Sequence, residues 1–375
     1  MIITSFDDFL SILDVITTSA PEFYKANING VTIGEPIGVP LLLILDLVSN
    51  TTAAYSLFIE PTFNGALRDL LNAWGAFLKA PASSETLTTD QWWSEAGMAA
   101  LTSGLGGASF DDTFQLDMPP PQRYNSWDSF FTRQFKDPAK SRPVIKGTVP
   151  YLYNACESTV LRTIRNVQLH DTFWLKNQNY SLYDVFGGND PKSTVAQYAE
   201  QFVGASIYQA FLSPADYHRW HSPVDGDIVA AQVLEGTYYA VLPDDGAPFW
   251  DTDLVPGDPH GALIRSQPWL SVVATRAVYI IQPNDPNTPI DLIAFVGIGM
   301  AEVSTCDITV SSGPVATGDQ IGLFHFGGSS YLLIVQPKAG YELVFQDYYE
   351  TPIRPGQHRW INSIIGQFWP TGKKQ

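Results

Sequence analysis

The segment Ser213-Pro214-Ala215-Asp216-Tyr217-His218-Arg219-Trp220-His221-Ser222-Pro223 holds two of the six histidines in this 375-residue chain, three positions apart. Histidine is the side chain best suited to moving protons near neutral pH. Prolines stiffen both ends of the stretch, and Asp, Tyr and Arg lie within it. A single histidine is more often a hydrogen-bonded core group; two in this company point to acid–base chemistry. The same His-x-x-His spacing also suits two metal ligands. Zinc needs a third or fourth, yet His170, His260, His325 and His358 each stand alone, and no Cys-x-x-Cys or His-Glu-x-x-His occurs. No metal is expected.

A second cluster is Phe326-Gly327-Gly328-Ser329-Ser330-Tyr331, between two strand-like segments. Small residues allow a tight, strained turn that presents a hydroxyl. Taken alone, the cluster also fits an ordinary hairpin turn. Gly104-Leu105-Gly106-Gly107 follows nothing strand-like and does not fit a dinucleotide-binding fingerprint. Gly297-Ile298-Gly299 sits in an apolar strand and indicates close packing. No Walker motif and no Gly-x-Ser-x-Gly elbow is present.

The elements that must position these groups change character along the chain. The first hundred residues have helical periodicity. Phe6, Phe9, Leu10, Leu13 and Ile16 recur at three- and four-residue steps behind Ser5, Asp7 and Asp8. Leu67, Leu70, Leu71, Trp74, Phe77 and Leu78 predict a helix over 64–80, ended by Pro81. Another is expected from Thr89, carrying Trp92 and Trp93. Residues 104–124, with Gly106, Gly107 and Pro119-Pro120-Pro121, have the composition of a linker. Beyond about residue 145, runs rich in Val, Ile, Tyr and Thr predict strands over 228–233, 271–281, 290–296, 308–311 and 331–335. A helical insert is expected over 194–211, from Val195, Tyr198, Phe202 and Ile207. The expected class is α+β: a helical domain over 1–120, then a β-rich, barrel- or sandwich-like domain over 121–375.

Composition narrows the partners. Apolar residues make up 45% and charged residues 16% of the chain, enough to build cores. Acidic side chains outnumber basic ones by 38 to 21, for a net charge of −17. Nucleic acid and anionic membranes need clustered Lys and Arg, so neither is an expected partner. Cys156 and Cys306 suit buried thiols in a reducing compartment. Met1–Thr17 has acidic residues and no basic one, unlike a secretory or mitochondrial leader. The longest apolar run, Val39–Val48, is broken by Asp46 and is about half a membrane span. A cytoplasmic protein with no stable membrane anchor is expected.

Four pieces together resemble the phosphatidylserine decarboxylase family of pyruvoyl enzymes. They are Trp127-Asp128-Ser129-Phe130-Phe131-Thr132-Arg133 with Arg142-Pro143, then Asn179-Tyr180-Ser181-Leu182, then Asp216 to Pro223, and last Gly328-Ser329-Ser330. Their order and spacing agree with the family from about residue 125 to 345. The helical region resembles the extension of fungal members acting on free amino acids, the L-tryptophan decarboxylase branch. The resemblance implies a cofactor made from the chain. Ser329 attacks the carbonyl of Gly328, and the chain is cut between Gly328 and Ser329. Ser329 becomes a pyruvoyl group, and the two chains stay associated. His221 corresponds to the base for self-cleavage and His218 to the group assisting decarboxylation. Family members place Asp-Gly where this chain has Glu157-Ser158, so Glu157 corresponds to the carboxylate orienting His221; Asp225 is a second candidate. The net charge favours a free amino acid over a phospholipid as substrate. A phosphatidylserine decarboxylase and an unprocessed, non-catalytic relative are the alternatives.

Overall fold

The computed structural model describes residues 5–23, 26–28, 31–33, 40–147, 150–170, 180–249, 254–300 and 305–372. Residues 1–4, Val39 and Asn179, which figure in the expectations above, lie outside them. Helices dominate the first third: α1 (Phe6–Ile16), α2 (Pro40–Ser49), α3 (Thr52–Phe58), α4 (Pro61–Leu78), α5 (Glu95–Thr102), α6 (Phe110–Thr113) and α7 (Trp127–Phe131). Ser5 and Thr51 cap α1 and α3 by accepting backbone N–H groups of the first turn. Pro61 opens α4, where its missing N–H costs nothing. The buried face of α4 is Leu67, Leu71, Trp74 and Leu78, as its periodicity predicts. The helix expected from Thr89 begins later, at Glu95, where Ser94 supplies the cap. Trp92 and Trp93 lie in the preceding turns.

The strands are β1 (Ala26–Ile28), β2 (Val31–Ile33), β3 (Tyr151–Tyr153), β4 (Ser158–Ile164), β5 (Ser206–Leu212), β6 (Arg219–His221), β7 (Gly226–Leu234) and β8 (Arg276–Pro283). They continue with β9 (Ile290–Gly299), β10 (Cys306–Ile308), β11 (Gly313–Val315), β12 (Gln320–Phe324), β13 (Ser329–Pro337), β14 (Tyr341–Val344), β15 (His358–Arg359) and β16 (Ile364–Pro370). Eight form one antiparallel sheet in the order β11-β7-β8-β9-β13-β5-β4-β15. Two three-stranded sheets, β10-β12-β6 and β14-β16-β3, cover one of its faces. Among the described residues the sheets make a sandwich, not a closed barrel.

Strand periodicity explains the layering. Ile207, Val278, Ile280, Ala294, Val296, Leu332 and Ile334 face the helices and share a core with Trp74, Trp92, Trp127 and Phe130. The alternate residues Tyr208, Tyr279, Ile281, Phe295, Tyr331 and Leu333 face the small sheets, against Trp220, Phe324 and Phe368. Trp92 and Trp127 both donate their indole N–H to the carbonyl of Pro21, at 2.8 and 3.2 Å. Residues 104–124 are irregular apart from α6 and are not a solvated linker, since Phe110, Phe114 and Tyr124 are buried. Burying aromatics of this size stabilises the fold by roughly 2–3 kcal/mol each.

Three expected elements are corrected. The stretch 194–211 is not one helix: a 3₁₀ helix, Ala196–Phe202, gives way to β5. Ser271 does not open a strand, because it lies in the helix Gln267–Val273, which begins with Pro268 in its first turn. β8 follows from Arg276. The strand expected over 308–311 lies earlier, at β10.

Candidate active site

The segments around the histidines are stitched to α7. Ser126 and Ser129 form a capping box that fixes the start of this helix. Arg133, just past its end, donates from Nη2 to the carbonyls of Ala215 and Asp216, at 2.5 and 2.8 Å. In return Arg219 Nε donates to the carbonyl of Thr132 at 2.7 Å. Arg133 is buried without a paired carboxylate, and the faces of Phe110, Phe114 and Phe130 surround its guanidinium. The two arginines thus hold the backbone on either side of His218.

His218 is fully buried, and Phe131 stacks on its ring at 3.9 Å. Neither ring nitrogen completes a hydrogen bond. Burial pushes its pKa down to about 3, the Arg133 charge adds to this, and Asp216 pulls the other way. His221 is also buried, and burial takes it down to about 4. Its Nδ1 lies 2.6 Å from the carbonyl of Gly318 and its Nε2 3.0 Å from the Tyr217 hydroxyl. A carbonyl only accepts, so Nδ1 carries the proton and the Nε2 lone pair accepts from Tyr217. Both histidines are therefore neutral near pH 7, and His221 has its basic nitrogen defined.

The Gly-Gly-Ser-Ser segment is not a hairpin turn. β12 belongs to a small sheet and β13 to the main one, so the segment carries the chain between layers. Gly327 adopts φ +133°, which only glycine tolerates readily. The Gly328 carbonyl accepts from Met300 N at 3.1 Å. Ser329 opens β13 opposite Gly299 on β9 and Leu212 on β5. Its hydroxyl, like that of Ser330, is buried with no hydrogen-bond partner. A buried hydroxyl usually has one. The loop bearing the histidines begins at Ser213, one residue beyond the partner of Ser329. His325 bonds Asp128 of α7 at 2.7 Å, and Phe326 packs on Trp74, Trp127 and Phe131. Phe131 thus touches both His218 and the turn.

Glu157 lies elsewhere than the expected orienting position. It forms a buried ion pair with Arg142, and its Oε2 has no partner. Burial raises its pKa to about 7, against the pull of Arg142. It makes no hydrogen bond to His221, whose ring is held by Tyr217 and Gly318; its charge bears on Tyr217. Asp225 is exposed and accepts from Thr317 N at 2.7 Å, next to the Gly318 that holds His221, but it bonds neither histidine itself. Glu157 instead lines a pocket of about 370 Å³, together with Arg133, Arg142, Asp216, Tyr217 and the apolar Leu101, Leu105 and Phe114. His358 also lines it, with Nε2 3.0 Å from Asp216. Burial opposes charge on His358, but the Asp216 hydrogen bond and charge outweigh it and raise its pKa. The sequence sets His358 apart as a lone histidine, because its partner is 142 residues away. The one available hint is that Asp216 belongs to the histidine motif. Among the described residues no three His, Cys, Asp or Glu gather to hold a metal ion, and both cysteines are free and buried.

A buried unbonded serine after two glycines, joined through β5 and Phe131 to the segment that carries two neutral histidines, is suited to backbone self-modification followed by proton transfer. Comparison with known proteins bears on this arrangement. The family model described as phosphatidylserine decarboxylase matches residues 127–358, and a second model of the same description matches residues 1–101. The chain is 40% identical to the decarboxylase iboD of Amanita muscaria, over 95% of this chain and 99% of that protein. It is 35% identical to the L-tryptophan decarboxylase of Psilocybe cubensis, over 92% of this chain and 76% of that one. Phosphatidylserine decarboxylase proenzyme 3 of Schizosaccharomyces pombe is 28% identical over 60% of this chain and 20% of its own length.

Proposed function

The chain belongs to the phosphatidylserine decarboxylase family of carboxy-lyases, and from that premise we propose a self-processing, pyruvoyl-dependent decarboxylase of a free aromatic L-amino acid, with L-tryptophan the best match. The observation that carries this reading is the Ser329 hydroxyl, buried and unbonded next to the Gly327-Gly328 turn. Its neighbours fit the formation of a pyruvoyl group from Ser329. Gly328 brings no side chain to obstruct attack on its carbonyl, and Met300 N–H already polarises that carbonyl. His221, neutral with its Nε2 lone pair on the Tyr217 hydroxyl, is the base for self-cleavage once that hydroxyl gives way. Glu157 supports it at one remove, through Tyr217.

When formed, the pyruvoyl ketone supplies the electron acceptor that carbon dioxide loss requires. His218 does the remaining proton work. Its neutral ring has one N–H and one lone pair, and neither is occupied by protein. Phe131 fixes the ring plane and keeps water away. The two chains stay together because β13 is bonded on both sides, to β5 and β9. The division into a helical region over 1–120 and a processing region over 121–375 is supported by the two separate family matches.

A free amino acid is favoured over a lipid by the likeness to the L-tryptophan decarboxylase over 92% of this chain and by a pocket volume of about 370 Å³. No described helix is long and apolar enough to cross a membrane. A cytoplasmic site is part of the proposal. Ser329→Ala is expected to leave one 41.3 kDa chain on a denaturing gel. The unsubstituted protein should give fragments of roughly 36 and roughly 5 kDa, in proportion to 328 and 47 residues. Cleavage that survives the substitution would place the site elsewhere. Carbon dioxide released from phosphatidylserine vesicles and not from tryptophan would favour the lipid enzyme; an uncut wild-type chain would favour a non-catalytic relative.

A further inference from the structure

The glycine-rich loop 103–107 has no part in the chemistry above, yet its residues Ser103, Gly104 and Leu105 line the pocket. We propose that this loop, through Leu105, sets the selectivity of the pocket for a flat apolar substrate side chain. The inference rests on the proposed amino acid decarboxylase and deepens it.

Three observations carry it. First, the lining divides by origin. Residues 100–114 supply the apolar Ala100, Leu101, Leu105 and Phe114, while the charged Arg142, Glu157, Asp216 and His358 come from later in the chain. A wall with no ionisable group recognises the apolar part of a ligand and leaves the polar end to the others. Second, the loop is held in place. The Gly104 carbonyl accepts from Trp360 Nε1 at 2.6 Å and from Arg142 Nη2 at 3.5 Å. Third, the loop approaches its neighbours closely, and at Gly106 a side chain would be strained. A Cβ on Gly106, at φ +63°, would sit 2.8 Å from the Trp360 ring, and one on Gly104 would sit 3.1 Å from His358 Cε1. Leu105 is thereby pinned, largely buried, at the pocket surface. The pocket lies one residue away from the histidines: Tyr217, in its lining, bonds His221, and Arg133, also in its lining, bonds the carbonyl of Ala215 and bears its charge on His218.

The test uses Leu105→Trp and Leu105→Ala in the full chain. With L105W, KM for tryptophan should rise at least about tenfold, the loss falling on KM rather than kcat, and the kcat/KM ratio of alanine to tryptophan should rise. L105A should shift the ratio toward aromatic amino acids bulkier than tryptophan. Both fragments on a denaturing gel serve as the check on folding. Substrate ratios unchanged in both variants would overturn the proposal. The same substitutions in a Ser329→Ala chain, titrated with tryptophan by calorimetry, test the pocket without the decarboxylation. There L105W should weaken binding at least about tenfold, and an unchanged Kd would overturn the inference. Failure of the wild-type chain to cleave or decarboxylate would instead overturn the function on which it rests.

Discussion

His221 and His218 are both buried, yet they are held differently, and the difference separates their roles. Gly318 and Tyr217 occupy both nitrogens of His221 and fix its tautomer, whereas the ring of His218 is stacked on Phe131 with only the Asp216 backbone near it. His221→Ala should therefore stop cleavage and leave a single 41.3 kDa chain. His218→Ala should still yield both fragments but lower kcat by roughly 10²–10⁴. Equal loss of cleavage in both variants would argue against separate roles. These two residues and Ser329 are legible in the sequence because each sits in a short, chemically dense run. Glu157 is legible as a buried acid but not in its contacts. Arg142, fifteen positions before it, takes the place expected of His221. His358 is illegible, since only folding brings it to Asp216.

At the scale of elements, the packing of α7 on the histidine loop depends on one buried cation. Arg133→Met keeps the stem and removes the donors to Ala215 and Asp216. A destabilisation of roughly 2–4 kcal/mol is expected in chemical denaturation, with slower self-cleavage. An unshifted midpoint would show that the clamp is redundant. Elements whose periodicity matched their burial were readable: α1, α4, β7, β9 and β13 lie close to where their residues predict. The failures have physical causes. Tyr198, Phe202 and Ile207 keep a near-helical spacing across a break at Gly204, which has φ +85° and leads into β5. Ser271-Val272-Val273 has strand-like composition, but Pro268 and the buried Trp269 and Leu270 recruit it to a helix. The Gly327-Gly328 turn resembles a hairpin locally because nothing nearby in sequence reveals that its two strands belong to different sheets.

At the scale of the molecule, the buried titratable groups predict how stability follows pH. His218 and His221 fall from an ordinary 6.5 to about 3 and about 4 on folding. Near pH 5.5 the unfolded chain thus holds almost two more protons at these sites. Glu157 rises from 4.5 to about 7, so the folded chain holds one more there. The net excess, near one proton in the unfolded state at that pH, lowers stability on acidification by about 1 kcal/mol per pH unit. Above pH 6.5 the two histidines are neutral in both states. Glu157 and the raised His358 then bind more protons when folded, so their contribution is lost as pH rises. Urea midpoints should therefore peak near pH 6.5, and a steady rise to pH 8 would contradict the assignment. The position of Ser329, at the start of a strand in the middle of the main sheet, has one more consequence. Once the proposed cut is made, that interior strand belongs to a 47-residue polypeptide held by no covalent bond. The mature molecule then becomes a heterodimer subject to mass action. Its unfolding becomes sensitive to dilution, as that of the single-chain precursor is not.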